Sequence, residues 1–354
     1  MTIQAFLHEE HASRVVFGRG SHARVADELD ALGVRRALVL TTPEQTALGE
    51  RIAALLGDRS AGVYGGAVMH VPLESARKAI EVAREAGADA CVAVGGGSTI
   101  GLAKAIALES ELPILALPTT YAGSEMTPLY GITANGEKKT GRDWKVAPRT
   151  VIYDPELSVG LPLGISVTSG MNAIAHAAEG LYAQNASPVH RLMAEEGIRA
   201  LAVALPALQR DPSDLDARGD ALYGAWLCGA VLGRVQMGLH HKLCHVLGGS
   251  FNLPHAELHT VMLPHALAYN AEAAPQAMQA LARALGSEDG VAGLVALGRA
   301  LGVPRSLREI GMPADGLERA AELAVAAPYP NPRPLDREAL RALLQRAFDG
   351  AEPR

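Results

Sequence analysis

CVAVGGGSTIGLAKAIAL, residues 91–108, is the stretch on which the reading of the fold turns. Cys91 to Val94 is an unbroken apolar run, as expected of a strand covered on both faces. Gly95-Gly96-Gly97-Ser98 interrupts it, and a helical stretch follows from Thr99 to Leu108. Glycine lets the backbone approach a ligand closely and reach positive φ. The new helix offers free N–H groups and the positive end of its dipole. Together they suit a pyrophosphate. A tight turn without a ligand is the alternative, and three glycines plus a serine between a buried strand and a helix weigh against it. The loop is not G-x-G-x-x-G, so the Rossmann-like layering is expected without the usual fingerprint.

Outward from this unit the same alternation recurs. Val15–Phe17, Ala37–Leu40, Ala61–Tyr64, Ile114–Leu117 and Val151–Tyr153 read as strands. Ser21–Leu32, Glu44–Leu56 and Leu73–Ala86 read as helices. Strand and helix alternating over short connections predict a parallel, doubly wound sheet. After Asp154-Pro155 no strand is expected. Helices are expected to begin near Ser166, Ser187, Leu215, Pro254, Ala274, Gly290, Asp315 and Asp336. The division expected is an α/β dinucleotide-binding domain over 1–158 and an all-helical domain over 159–354.

A second loop, Pro118-Thr119-Thr120-Tyr121-Ala122-Gly123-Ser124, ends the next strand. Adjacent strand ends in a parallel sheet face one crevice. The candidate cofactor-binding set is therefore Gly95, Gly96, Gly97, Ser98, Thr119, Thr120 and Ser124, with Thr41 and Thr42 bordering an adenosine. No acid stands at the Thr41 end to hold a ribose 2′-hydroxyl, so either NADH or NADPH is expected.

Twelve histidines are present, and six lie in GLHHKLCHVLGGSFNLPHAELHTVMLPH, residues 238–265. His241 and His245 are i, i+4 and share a helix face, as do Asn172 and His176 upstream. Imidazoles so spaced suit a divalent metal, or a proton donor with its orienting partner. His240, His241, His245 and His255 are expected to face a cavity. His259 and His265 are expected to be ordinary helix-contact histidines.

GGGS after a strand, PTT-x-x-GSE, GMN-x-x-x-H, H-x-x-x-H-x-LGG and PH together resemble the iron-containing (group III) alcohol dehydrogenase family over essentially the whole chain. The resemblance implies an α/β cofactor domain, a helical domain and the fold shared with dehydroquinate synthase. It implies metal ligands at His176, His245 and His255, with Asn172 where the family carries Asp. An amide brings no charge to a cation. Gly101 likewise stands where many members carry Asp. Both departures match a branch that reduces the carbon–carbon double bond of an unsaturated oxo-dicarboxylate in the breakdown of chlorinated and hydroxylated aromatics. Members use NADH or NADPH, and metal is not expected to be required.

The catalytic set expected on that basis is His241, His245, His176, His255 and Lys242. His241 or His245 would donate to the developing enolate. Arg142 and Arg234 are candidates for the substrate's carboxylates, and Lys145 for the nicotinamide ribose. Arg142 and Lys145 belong to a basic segment that begins at Lys138 and Lys139. Rival readings are a metal-dependent alcohol or polyol dehydrogenase and a dehydroquinate synthase-like lyase. With 32 Lys and Arg against 38 Asp and Glu, no nucleic-acid partner is expected. Three scattered cysteines suggest no disulfide framework. With no apolar leader and no long apolar run, a cytoplasmic enzyme is expected, and the resemblance implies a homodimer.

Overall fold

The computed structural model describes residues 6–11, 13–134 and 137–354, with the side chains of Glu137 and Lys138 outside that description. The first unit carries β1 (Arg14–Phe17), β2 (Ala37–Leu40), β3 (Ser60–Tyr64), β4 (Ala90–Gly95), β5 (Ile114–Pro118), β6 (Leu129–Ala134), β7 (Glu137–Arg142) and β8 (Thr150–Tyr153). Its helices are α1 (Val25–Leu32), α2 (Thr46–Leu56), α3 (Leu73–Glu85) and α4 (Gly97–Ser110). Six strands form a parallel sheet in the order β1-β8-β5-β4-β2-β3. Every residue of β2, β4, β5 and β8 is buried, which is why these strands read as continuous apolar runs rather than alternating ones. From β2 the chain moves to the edge strand β3 and returns across β2 to β4. That reversal opens a crevice at the carboxyl ends of β2 and β4, where ligands of open α/β sheets bind.

β6 and β7, an antiparallel pair with Leu129 opposite Arg142, were not expected. The sequence signal was Asn135-Gly136, a strong hairpin dipeptide, and those two residues lie outside the described ones.

The second unit holds α5 (Leu163–Gly180), α6 (Pro188–Arg210), most of α7 (Leu215–Arg234), α8 (Leu239–Phe251), α9 (His255–Asn270), α10 (Pro275–Leu285), α11 (Gly290–Leu301), α12 (Gly316–Val325) and α13 (Arg337–Asp349). No strand occurs there among the described residues. α5 is buried continuously from Ser166 to Gly180, so it is the central helix of this unit. α6 begins with a capping box in which Ser187 accepts the His190 N–H and the His190 ring takes the Ser187 N–H.

Contacts divide the described chain into Glu10–Leu161 with Ser213–Leu222, and Pro162–Pro212 with Tyr223–Arg354 and residues 6–9. A single cut at 158/159 therefore misplaces the start of α7. The reason is Arg218, fully buried, which donates to the Tyr121 hydroxyl and to the Leu161 carbonyl. No described helix is long and apolar enough to cross a membrane.

Candidate active site

The glycine loop has the geometry of an anion cradle. Gly95 sits at φ +153°, and a Cβ there would lie 2.4 Å from Thr99 Oγ1. A Cβ on Gly96 would lie 2.7 Å from Thr120 Cγ2, while Gly97 faces open space. α4 starts at Gly97 with no side-chain cap and no acid in its first turn, so its N–H groups and dipole are available to an anion. Thr119 donates its N–H to Gly95 O, and its hydroxyl accepts from Gln45 Nε2. The ends of β2, β4 and β5 are thus tied together around the crevice. Thr41 Oγ1 and Thr99 Oγ1 are buried there without hydrogen-bond partners. Thr42, Ser98 and Thr120 are half-buried along it. Glycines, an uncapped helix and orphaned hydroxyls together fit a dinucleotide.

Ser124 is held from beneath. Lys104, fully buried on α4, donates from Nζ to Ser124 O (2.7 Å), Ser124 Oγ (3.2 Å), Thr127 Oγ1 (2.9 Å) and Leu129 O (2.7 Å). Burial pulls the amine down to about 7, against the opposing charge of Glu125. This lysine went unnoticed in sequence because it sits inside an apolar helix. Lys145 lies 4.0 Å from both Glu111 and Asp143, and Arg142 ends β7, where burial lowers its pKa.

In the helical unit a line of buried groups runs between two helices, α5 and α8. Asn172 Nδ2 lies 3.3 Å from His176 Nε2, and His176 Nδ1 lies 2.9 Å from His241 Nε2. His241 Nδ1 lies 2.7 Å from Glu179 Oε2. The carboxylate can only accept, so Nδ1 of His241 carries the proton and its Nε2 accepts from His176. His176 Nε2 in turn takes the amide N–H of Asn172. One tautomer for the whole chain follows from the anion at its end.

Glu179 is the functional residue that sequence reasoning missed. Besides the imidazole, its oxygens accept the N–H groups of Gly238, His240 and His241 and the Tyr182 hydroxyl. It caps α8 from α5, since Gly238 offers no side chain. Burial alone would raise the carboxyl; the His241 bond and the neighbouring imidazoles and N–H overcome it and hold it at about 2. The signal was its spacing. Asn172, His176 and Glu179 are i, i+4 and i+7 on one helix face.

His240 and His259 face each other at 2.9 Å, both fully buried. Burial first, then neighbouring imidazoles, lowers His240 to about 3 and pushes His259 down as well. The metal-ligating atoms of His176, His241 and His259 lie within 4.8 Å of one another. Of the expected trio His176, His245 and His255, only His176 belongs to this group. His245 and His255 are exposed at the edge of the cluster, with ring centroids 6.4 Å from His241 and 4.4 Å from His259. One helical turn separates His245 from His241, and Glu179 pins the latter. His259, expected to be structural, is central, and its Nε2 is buried without a partner. Lys242 stands 5.9 Å over the Tyr329 ring, and Arg234 ends α7, donating to Ala230 O.

Three converging imidazoles fit a divalent cation in kind. Glu179 behind His241 is the partner a ligating imidazole needs, and Asn172 Oδ1 is a buried acceptor without a partner. None of the converging donors is anionic.

Family models described as Iron-containing alcohol dehydrogenase and Fe-containing alcohol dehydrogenase family, C-terminal, match residues 12–155 and 166–348. A maleylacetate reductase of Burkholderia cepacia is 63% identical over 99% of this chain and 100% of its own length. One from Pseudomonas sp. strain P51 is 57% identical over 98% of this chain and 99% of its own. The crystal structure of maleylacetate reductase from Agrobacterium tumefaciens superposes with a TM-score of 0.96 at 53% identity, over 99% of this chain and 100% of that one. Glycine cradle, histidine chain and full-length matches agree: this chain belongs to the iron-containing alcohol dehydrogenase family.

Proposed function

We propose that this protein reduces the carbon–carbon double bond of 2-maleylacetate to give 3-oxoadipate, with NADH or NADPH as hydride donor. The observation that carries the reading is the buried chain Asn172–His176–His241–Glu179, set in a sequence 63% identical, end to end, to a maleylacetate reductase.

The substrate is a dianion whose ketone is conjugated to its alkene. Hydride attack at the alkene carbon pushes an electron pair onto the ketone oxygen, giving an enolate. A proton then adds at carbon, so one hydride and one proton are consumed and one NAD(P)+ is released. An imidazole donor toward the enolate is worth about 10²- to 10⁴-fold. His245 and His255, the exposed imidazoles of the cluster, are the groups proposed to touch substrate. His241 and His176 stand behind them, where Glu179 stabilises positive charge on the chain. Lys242, Arg234 and Arg142 are the cations proposed for the carboxylates. The dinucleotide is assigned to the Gly95–Ser98 loop with Thr41, Thr42, Thr119, Thr120, Ser124 and Lys145.

A cation on His176, His241 and His259 would supply Lewis-acid polarisation of the ketone oxygen. The proposal assigns that charge to the imidazoles, because Asn172 adds no negative charge to the donor set. A homodimer in the cytoplasm completes the proposal, with sedimentation as its check.

The experiment is stoichiometric. Protein dialysed against EDTA is mixed with maleylacetate and NADH, and both NADH loss and 3-oxoadipate are measured. One mole of each per mole of substrate is expected. Oxidation of simple alcohols restored only by iron or zinc would replace the proposal with a metal-dependent alcohol dehydrogenase. Turnover with no net change in NADH would point to a lyase.

A further inference from the structure

A cavity lies wholly within the helical unit, lined from α5, α9 and α11 and by the C-terminal tail. It measures about 500 Å³, part of it open to solvent. Met171 of α5, Val261 and Pro264 of α9, and Leu294 and Val295 of α11 give it an apolar wall. The C-terminal tail, Gly350 to Pro353, closes one side.

Three observations point to a ligand. His265 lines the cavity at 3% exposure, and its Nδ1 is buried without a hydrogen-bond partner. A buried polar atom left unpaired costs about 1–3 kcal/mol, so such an atom beside an open volume calls for an occupant. Burial, with Arg346 nearby, lowers this imidazole to about 4, so it is neutral and offers a single hydrogen bond rather than a charge. The polar edge is cationic. Arg299 and Arg305 line it, against one lining acid, Glu352. Finally, that acid is on the tail and is bound to Arg299, so the tail itself supplies a carboxylate at the edge. The tail is also held by Arg346, which donates to Arg354 O.

We propose that this cavity is a binding site for a small hydroxy- or oxo-substituted carboxylic acid of about ring size. Its carboxylate displaces Glu352 from Arg299, its apolar body lies against Leu294 and Val295, and its hydroxyl or carbonyl meets His265 Nδ1. The site is separate from the one described above, yet built on the same helices. Met171 adjoins Asn172 on α5, and Thr260 adjoins His259 on α9. An occupant therefore presses on the two helices whose spacing sets the His176–His259 geometry. Charge at the edge selects the acid, and the unpaired nitrogen at depth selects a second polar group.

The probe is para-hydroxybenzoate, titrated calorimetrically into the full-length protein with saturating NAD+ and maleylacetate analogue present. Binding is expected to persist under those conditions. Arg299→Ala should weaken it by about tenfold, the size of one lost charge-assisted bond. Glu352→Gln should tighten it several-fold, since the competing carboxylate is gone. His265→Leu should weaken it, and para-hydroxybenzamide should bind at least tenfold less tightly than the acid. Glu352→Gln is an exposed tail substitution, so its result does not depend on the His265 variant folding. Absence of binding at millimolar probe, binding abolished by the active-site analogue, or an affinity indifferent to both Arg299→Ala and Glu352→Gln would overturn the assignment.

Discussion

Replacing Glu179 by Gln keeps the shape of the side chain and removes its charge. Whichever oxygen becomes the amide nitrogen, donors then face a donor. With nitrogen at the Oε1 position, the His240 N–H, at 2.8 Å, loses its acceptor. The Tyr182 hydroxyl can turn and accept instead. With nitrogen at Oε2, the Gly238 and His241 N–H groups and His241 Nδ1 are stranded. The first arrangement is the cheaper. It costs one buried orphan N–H, about 1–3 kcal/mol, and reduces the charge-assisted bond from His241 to a neutral one, about 1 kcal/mol more. The variant should therefore be about 2–4 kcal/mol less stable, read from the urea midpoint. It should also remove the anion that stabilises positive charge on His241, and so weaken the hold on the hydrogen-bond chain to Asn172. We expect kcat for maleylacetate reduction to fall by about 10² or more while KM for NADH stays within about twofold, because the cofactor loops belong to the other unit. Glu179→Asp, which keeps the charge at shorter reach, should recover part of kcat. A Gln variant as stable as the parent protein, or one with unchanged kcat, would refute the argument that this carboxylate orients the chain.

Gly96→Ala puts a methyl group 2.7 Å from Thr120 Cγ2 and should raise KM for NADH about tenfold with little change in kcat; unchanged KM would remove the loop from the cofactor site. Lys104→Met tests a buried amine. Between pH 7 and 10.5 the unfolded chain holds a proton on Lys104 that the folded one lacks, so stability rises with pH across that window. The slope is at most about 1.4 kcal/mol per unit. From pH 7 to 9 the parent should gain about 2 kcal/mol more than the Met variant in urea titrations; equal gains would refute it. His245→Ala should lower kcat by about 10² or more with the histidine chain intact, and an unchanged kcat would leave His255 as the donor.

Much of this protein is determined by local pattern. Apolar runs of four to six residues become strands buried on both faces, and a glycine loop between a strand and a helix becomes an uncapped helix start. The helix faces of α5 and α8 follow from i, i+4 spacing, which depends only on 3.6 residues per turn. Period, however, says which residues share a face and not which helix the face meets. Only the packing of α5 against α8 and α9 brought His241 and His259 to His176 and left His245 and His255 at the edge. Only that packing made Glu179 a cap for a helix about sixty residues on, and only the tertiary fold drew Arg218 to its partners Tyr121 and Leu161 in the α/β unit. His265 shows the same limit. It lies six residues after His259 on α9, about 240° around the helix, so one histidine joins the buried cluster and the other lines a separate cavity.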